Sequence, residues 1–317
     1  MVEVSVICLA YNHEKYIEEC IQHLLSQKTD FQYEVLIHDD ASTDKTPEIL
    51  RKYADEYPDI IKPILQKENQ FSQGKILTSE FIFPKCQGKY YCMCECDDYW
   101  CDDQKLQKQY DFMEAHPEYS ACVHNSVLHD CNNGKETLVN SSETDRDIEM
   151  KEVLLDWGKV YHTSSMFYRK EYANRPKEFY ARGFGDYPRA IYFCYVGKVY
   201  YFADVMSVHR VNVENSWTTK NVASRDPQDV VRHYRKVIEL LNNIDAYTER
   251  KYHDDIVKAV RWNECLILQW QDNAKEILKS YRDVYDGMSK GRKAIIRFKA
   301  YFPKTFKFLN NIRLRGK

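Results

Sequence analysis

Apolar positions along this chain group into short strand-length runs that alternate with helical spacings. Residues 2–9 read as a buried strand ending at Ala10-Tyr11-Asn12, and Ile17, Cys20, Ile21, Leu24 and Leu25 follow at the spacing of one helix face, with Asn12 as the expected N-cap. Residues 34–38 form a second short run that stops on Asp39-Asp40-Ala41-Ser42-Thr43-Asp44. Thr46 and Pro47 then suit a helix start, with Ile49, Leu50 and Tyr53 facing inward. A third strand is expected at 60–65, a helix at 73–83, and a further helix at 103–116.

Between the last two lies the most telling stretch, residues 89–100, an alternating run that ends on Asp97-Asp98. Period-two alternation puts Tyr91, Met93, Glu95 and Asp97 on one face and Cys92, Cys94, Cys96 and Asp98 on the other. Alternating strands and helices over the first ~115 residues predict a mostly parallel sheet covered on both sides. Ligands bind beyond the carboxyl ends of such strands, so the three polar strand ends should converge on one cleft.

After Pro117 the pattern is mixed. Strands are expected at 120–129, 162–168 and 199–209, a turn at Asn132-Asn133-Gly134, a polar loop at 141–150 and a helix at 188–196. From Pro227 onward long helical patterns dominate.

With 317 residues, 44% hydrophobic and 30% charged, the chain reads as an ordinary globular protein of one large or two modest domains. Eleven cysteines, an odd number, resemble no secreted disulfide framework, and no signal core or membrane-spanning window is evident. The expected location is the cytoplasm. Net charge is −2, but residues 288–317 hold ten Lys or Arg and no acid, leaving 36 basic against 48 acidic residues elsewhere. Ile295, Ile296, Phe298, Tyr301, Phe302, Phe306, Phe308 and Leu309 interleave with those cations, a composition suited to peripheral contact with an anionic membrane face.

Two carboxylates at the mouth of a buried strand repel and are costly to desolvate unless a cation lies between them. Mg²⁺ or Mn²⁺ carrying a phosphorylated ligand would resolve the conflict; a solvated helix cap is the plainer alternative. Zinc held by Cys86, Cys92, Cys94, Cys96 and Cys101 is disfavoured, because alternate strand cysteines do not converge. Gly-x-Gly-x-x-Gly is absent after the first strand, as is a phosphate-binding loop. A nucleotidyltransferase would further need a glycine-rich basic loop near the N-terminus.

Taken together, 4–12, the Glu34–Asp44 stretch, Glu95-Cys-Asp-Asp-Tyr-Trp100, Lys105-Leu-Gln-Lys-Gln109 and Gly185-Asp-Tyr-Pro188 resemble, in order and spacing, the family 2 glycosyltransferases of GT-A fold. The resemblance covers about the first 217 residues and implies an α/β fold with a Rossmann-like mixed, mostly parallel sheet and a helical C-terminal extension. The implied division is 1–220 for the GT-A domain, 221–287 for the helical extension and 288–317 for the basic amphipathic tail. It implies inverting transfer of a sugar from a nucleotide-sugar donor, most simply UDP-linked, to a glycan or lipid-linked acceptor in surface polysaccharide synthesis, with no nucleic-acid partner.

The resemblance also implies roles for individual residues. Ala10, Tyr11, Asn12 and Asp40 would hold the nucleotide base, with Asp39 on the loop or ribose. Asp98 would bind Mn²⁺ or Mg²⁺, and Asp97 would lie nearer the donor sugar or ribose while sharing the metal motif. Asp186 would be the catalytic base, and Arg210 would reach the diphosphate. His162 and Thr163 would lie on the acceptor side, and Trp100 would cover the sugar. Asn212 stands where relatives carry a histidine, and His209 would point elsewhere on a strand, so which of the two completes the metal or diphosphate site is left open by the sequence. The rival expectation is a catalytically degenerate member that binds sugar nucleotides or a partner without turnover.

Overall fold

The computed structural model describes residues 1–181, 185–213 and 226–306, and the chain separates into two compact units, Met1–Lys220 and Asn221–Lys317. The first unit contains strands β1 (Val2–Ala10), β2 (Gln32–Asp39), β3 (Ile61–Leu65), β4 (Tyr90–Glu95), β5 (Tyr99–Trp100), β6 (Tyr119–Asp130), β7 (Glu136–Leu138), β8 (Arg146–Ile148), β9 (Phe167–Arg169) and β10 (Lys198–Val211). They form one sheet in the order β3-β2-β1-β4-β9-β6-β10-β5, with β7 paired to β6 and β8 to β10. β1, β2, β3 and β4 run parallel, as do β6 and β10, while β9 is antiparallel between β4 and β6. This is the expected mixed, mainly parallel α/β architecture.

Helix α1 (Ile17–Leu25) covers one sheet face, burying Ile17, Cys20, Ile21 and Leu24 in a core that includes Val4, Val6, Cys8, Val35, Ile37, Cys92, Cys94 and Cys96. The alternating thiols are therefore core residues. Burial pushes Cys8 and Cys92 up to about 12, and among the described residues no cysteine joins a group able to hold a metal. Helices α2 (Thr46–Glu56), α3 (Lys105–Ala115), α4 (Met150–Asp156) and α5 (Asp186–Val196) complete the described α-helices of this unit. Gly88 allows β4 to start hard against β1: a Cβ there would lie 2.5 Å from the Ser5 nitrogen and 2.8 Å from the Val4 carbonyl carbon.

Several local expectations are corrected. Asn12 does not cap α1; it adopts φ 58° and the helix begins four residues beyond the expected start. Residues 73–83 are not one helix, because Gly74 at φ 85° and Pro84 bracket a single wide turn at Thr78–Ile82 and a tight one at Phe83–Lys85. The supposed loop at 141–150 contains β8, whose edge pairing with β10 leaves no apolar alternation to read. Residues 162–168 are strand only from Phe167; before it, Thr163–Ser165 make a tight helical turn with His162 as N-cap.

Register is what positions the site. Leu9 pairs with Glu95 and Ala10 with Asp39, so the carboxyl ends of β1, β2 and β4 finish level.

The second unit consists of α6 (Pro227–Tyr247), α7 (His253–Trp270), α8 (Ala274–Ser280), α9 (Arg282–Gly287) and α10 (Lys290–Tyr301). Ile296 and Ala300 of α10 are buried with Cys265, Ala274, Ile277, Tyr285 and Met288. Residues 288–306 thus share a core with the preceding helices, and the rest of the basic tail lies outside the described residues. Among the described residues no helix is long and apolar enough to cross a membrane.

Candidate functional site

The β4 alternation stops at Glu95, where the Asp98 amide donates to the Glu95 carbonyl at 2.9 Å in a turn. That turn reverses the expected faces. Glu95 and Asp98 come together, while Asp97 turns away toward His13, whose Nε2 is 4.0 Å from its carboxylate.

The Asp98 side chain has no solvent exposure. Its carboxylate accepts the Arg210 backbone N–H at 2.9 Å and lies 2.9 and 3.0 Å from His209 Nδ1. Burial raises the Asp98 carboxyl above its usual range, and the His209 charge opposes that rise. Burial disfavours the charge on His209, but Asp98, with Glu95 and Asp97 behind it, outweighs this and lifts the imidazole to about 9. A protonated His209 therefore supplies the cation that the buried carboxylate requires.

The His162 ring stacks on His209, with centroids 3.7 Å apart and planes at 23°. Its Nε2 is 3.9 Å from Glu95 and its Nδ1 3.8 Å from Asp98. Burial, then the His209 charge, holds His162 well below the usual histidine range. Close packing, followed by the charges of Asp98 and Asp97, pushes Glu95 up to about 8, although 41% side-chain exposure lets solvent temper the effect.

One ligand atom from each of Glu95, Asp98, His162 and His209 lies within 4.8 Å of the others. Two hard carboxylates with imidazole nitrogen fit a divalent cation such as Mn²⁺. His209, and not Asn212, meets Asp98; Asn212, at φ 61°, donates instead to Asp130 at 2.8 Å. The reason is irregularity in β10, whose register against β6 shifts between Phe202 and Val205 and again between Val205 and Ser207. Simple alternation along 199–209 therefore gives the wrong face for residue 209.

The loops following β1 and β2 are zipped together. Asn12 N–H donates to Ser42 Oγ at 2.8 Å, Thr43 N–H to Asn12 Oδ1 at 2.8 Å, and Asp40 N–H to the Ala10 carbonyl at 3.0 Å. Tyr11 lies between them at the same strand end. Asp39 accepts from the Ser42 amide at 3.2 Å and from its hydroxyl, in keeping with the expected loop role. Asp40 is 3% exposed and accepts the Gln70 and Phe71 amides at 2.8 and 3.1 Å. Its carboxylate anchors the 70–71 turn, where a free base-binding group was expected. Asn12 and Ala41, both near φ 60°, place backbone strain at these two strand ends.

Arg210 was expected to reach for a diphosphate. Its guanidinium instead donates to the Asp97 carbonyl at 2.8 Å and to Glu19 at 2.5 Å, and lies 4.6 Å from the Tyr99 ring centre. It pins the acidic turn in place. Trp100 was expected over a sugar but is 1% exposed, its Nε1–H donating to the Ser164 carbonyl at 3.1 Å. Lys105, with no exposure, lies 3.8 Å from the Trp100 ring centre and donates to Gln109 Oε1 at 2.7 Å. Thr163 is buried in the tight turn after His162.

Asp186 opens α5, and its carboxylate accepts the Tyr187 amide at 2.8 Å. Its charge is among those that raise Glu95. Arg175 donates to the Gly185 carbonyl at 2.7 Å just ahead of it. The expected glycine at 183 and the Asn215-Ser-Trp217 segment lie outside the described residues. Sequence reasoning gave no site role to Glu95, although it opens the Glu95-Cys-Asp-Asp run, and left His209 open against Asn212; Lys105 and Ser164 stood in quoted motifs without a role of their own.

Comparison with known proteins places this geometry. The Glycosyl transferase family 2 model matches residues 5–175, more than half of the chain, and the protein belongs to that family of glycosyltransferases. TuaG of Bacillus subtilis, a glycosyltransferase named for teichuronic acid biosynthesis, is 36% identical over 110 residues, covering 35% of this chain and 41% of TuaG. The chain spans 34% to 41% of the length of the first curated relatives it matches. Among solved structures, S. aureus TarS 1-349 in complex with UDP-GlcNAc superposes with TM-score 0.58 at 17% identity, covering 86% of this chain and 72% of that one. The mannosyltransferase PcManGT of Pyrobaculum calidifontis, in complex with GDP-Man and Mn²⁺, gives 0.55 at 15% identity, covering 94% and 84%.

If Trp100 is structural, Trp100→Phe leaves the Ser164 carbonyl without its donor and lowers unfolding stability by about 1–3 kcal/mol in urea titration. Nucleotide affinity should persist. Unchanged stability with lost donor binding would return Trp100 to the sugar.

Proposed function

We propose that the 1–220 unit is an inverting, cation-dependent glycosyltransferase using a nucleotide-sugar donor, with UDP as the nucleotide, in surface polysaccharide synthesis. The convergence of Glu95, Asp98 and His209 beyond the ends of parallel strands is the observation that carries this reading. Asp98 and His209, with Glu95 beside them, would hold Mn²⁺ or Mg²⁺, which neutralises the departing diphosphate as a Lewis acid. Asp97, turned to the His13 side, faces the nucleotide half of the cleft and suits the ribose. Ala10, Tyr11, Asn12, Asp39 and Asp40 shape that half through the zipped loops.

The acceptor hydroxyl oxygen attacks the anomeric carbon as the bond from that carbon to the diphosphate breaks. Asp186 takes the hydroxyl proton, and the nucleoside diphosphate leaves with the bonding electron pair. Asp186 suits this role because it opens α5 and is not one of the four cluster residues. His162 and Thr163 border the acceptor side.

Metal-dependent release of UDP from UDP-sugars tests the assignment. Asp98→Asn should abolish release, while Asp186→Asn should keep donor binding and lose about 10²–10⁴-fold in transfer. Full transfer by Asp186→Asn would remove it as base; donor binding without any turnover in the parent would establish the degenerate alternative.

We further propose that α10 rests on an anionic membrane surface. Ile295, Tyr301 and Phe302 are 53%, 70% and 57% exposed, among the exposed cations Lys290, Arg297 and Lys304. Because Ile296 and Ala300 belong to the helical core, charge reversal tests this better than truncation. The parent should sediment with phosphatidylglycerol vesicles and not with phosphatidylcholine ones. Replacing Lys290, Arg297 and Lys304 by Glu should release it; unchanged sedimentation would refute the contact.

A further inference from the structure

His162 is geometrically able to be a fourth metal ligand, since one of its ring nitrogens lies within the same 4.8 Å cluster as atoms of Glu95, Asp98 and His209. Its hydrogen bonds say otherwise. As the N-cap of the tight turn Thr163–Ser165, its Nδ1 accepts the Ser164 backbone N–H at 3.3 Å. An amide can only donate, so Nδ1 must present its lone pair and the ring proton must reside on Nε2.

The hydroxyls behind it agree with that direction. Ser164 Oγ lies 3.0 Å from His162 Nδ1 and 2.9 Å from Ser207 Oγ, and Ser207 Oγ lies 2.8 Å from Ser126 Oγ. Ser126, Ser164 and Ser207 have no exposed surface, so no solvent proton interrupts the row. With Nδ1 fixed as an acceptor, its single lone pair is shared by the Ser164 N–H and the Ser164 hydroxyl, and the row then runs with Ser207 donating to Ser164 and Ser126 to Ser207. The opposite polarity would set an Nδ1–H against the Ser164 amide hydrogen. Trp100 holds the Ser164 carbonyl from the other side at 3.1 Å, which fixes the turn itself.

We propose that His162 is a positioning residue and not a metal ligand. It is locked as the Nε2–H tautomer by Ser164, with that N–H directed at the Glu95 carboxylate and its ring face supporting His209. This rests on the transferase reading for its purpose, but the tautomer is a property of the chain alone. The Nε2–H faces Glu95 Oε2 at 3.9 Å, within reach of a hydrogen bond after a small carboxylate rotation. A ring so occupied has no lone pair free at the cleft. Asp98 and His209 are thereby left to meet a cation, with Glu95 steered beside them. The role parallels the outer groups that orient ligands in metal sites generally.

The first test is nitrogen chemical shifts of the metal-free full chain labelled with ¹⁵N-histidine, with His162→Gln identifying the His162 signals among the ten histidines. A neutral ring with the proton on Nε2 supports the assignment; an Nδ1–H tautomer or a charged ring overturns it. The second test is titration with Mn²⁺ alone, followed by electron paramagnetic resonance. His209→Gln, which removes a ligand, should weaken Mn²⁺ binding clearly more than His162→Gln, whose amide N–H approximates Nε2–H and so retains much of the positioning contact. Equal weakening by both would make His162 a ligand and overturn the proposal. A parent that binds no Mn²⁺ would instead count against the metal-dependent transferase, with the tautomer still deciding His162.

Discussion

A carboxylate with no solvent exposure governs this site. Asp98 is wholly buried at the end of the sheet, and an isolated charge there would cost several kcal/mol. The fold answers with an imidazole at 2.9 Å and a backbone N–H at 2.9 Å, both from one strand, β10. The same arrangement raises the His209 imidazole to about 9, which favours its charged form opposite the carboxylate. A divalent cation displacing the imidazole proton would meet a preformed anionic seat, with Glu95 as a second carboxylate at its rim.

Around the acidic turn and β10, further side chains hold one another in place. Arg210 ties the acidic turn to Glu19 and Tyr99, and Lys105 lies against Trp100, whose indole holds Ser164 and through it His162. Lys105 is buried and its pKa is lowered by desolvation, a cost the fold retains where the ring beneath it anchors the turn. The supporting groups thus form one contiguous layer beneath the cluster.

Much of the architecture was legible because period two and period 3.6 are strong signals over the first 115 residues. The strand ends at Asn12, Asp40 and Asp98 could be placed before any coordinates, and parallel pairing brought them level. What alternation could not show was where it stopped. The turn from Glu95 to Asp98 brought Glu95, and not Asp97, together with Asp98, and the irregularities in β10 turned His209 toward Asp98 in place of Asn212. The contacts of Trp100 and Arg210 were illegible for a different reason. Each has a side chain that suits a ligand as well as it suits a buried carbonyl, and only tertiary contacts separate the two. β8 escaped notice because three edge residues carry no periodicity.

Family membership fixes the kind of chemistry, and the cluster of Glu95, Asp98, His162 and His209 lies in the first unit. Crystals of the chain soaked with Mn²⁺ and UDP, with anomalous differences recorded at the manganese edge, would test the central claim most directly. The account predicts one strong peak bonded to Asp98 and His209, with the UDP phosphates beyond it. A peak held by other residues, or UDP bound in the cleft with no peak beside Asp98, would contradict it.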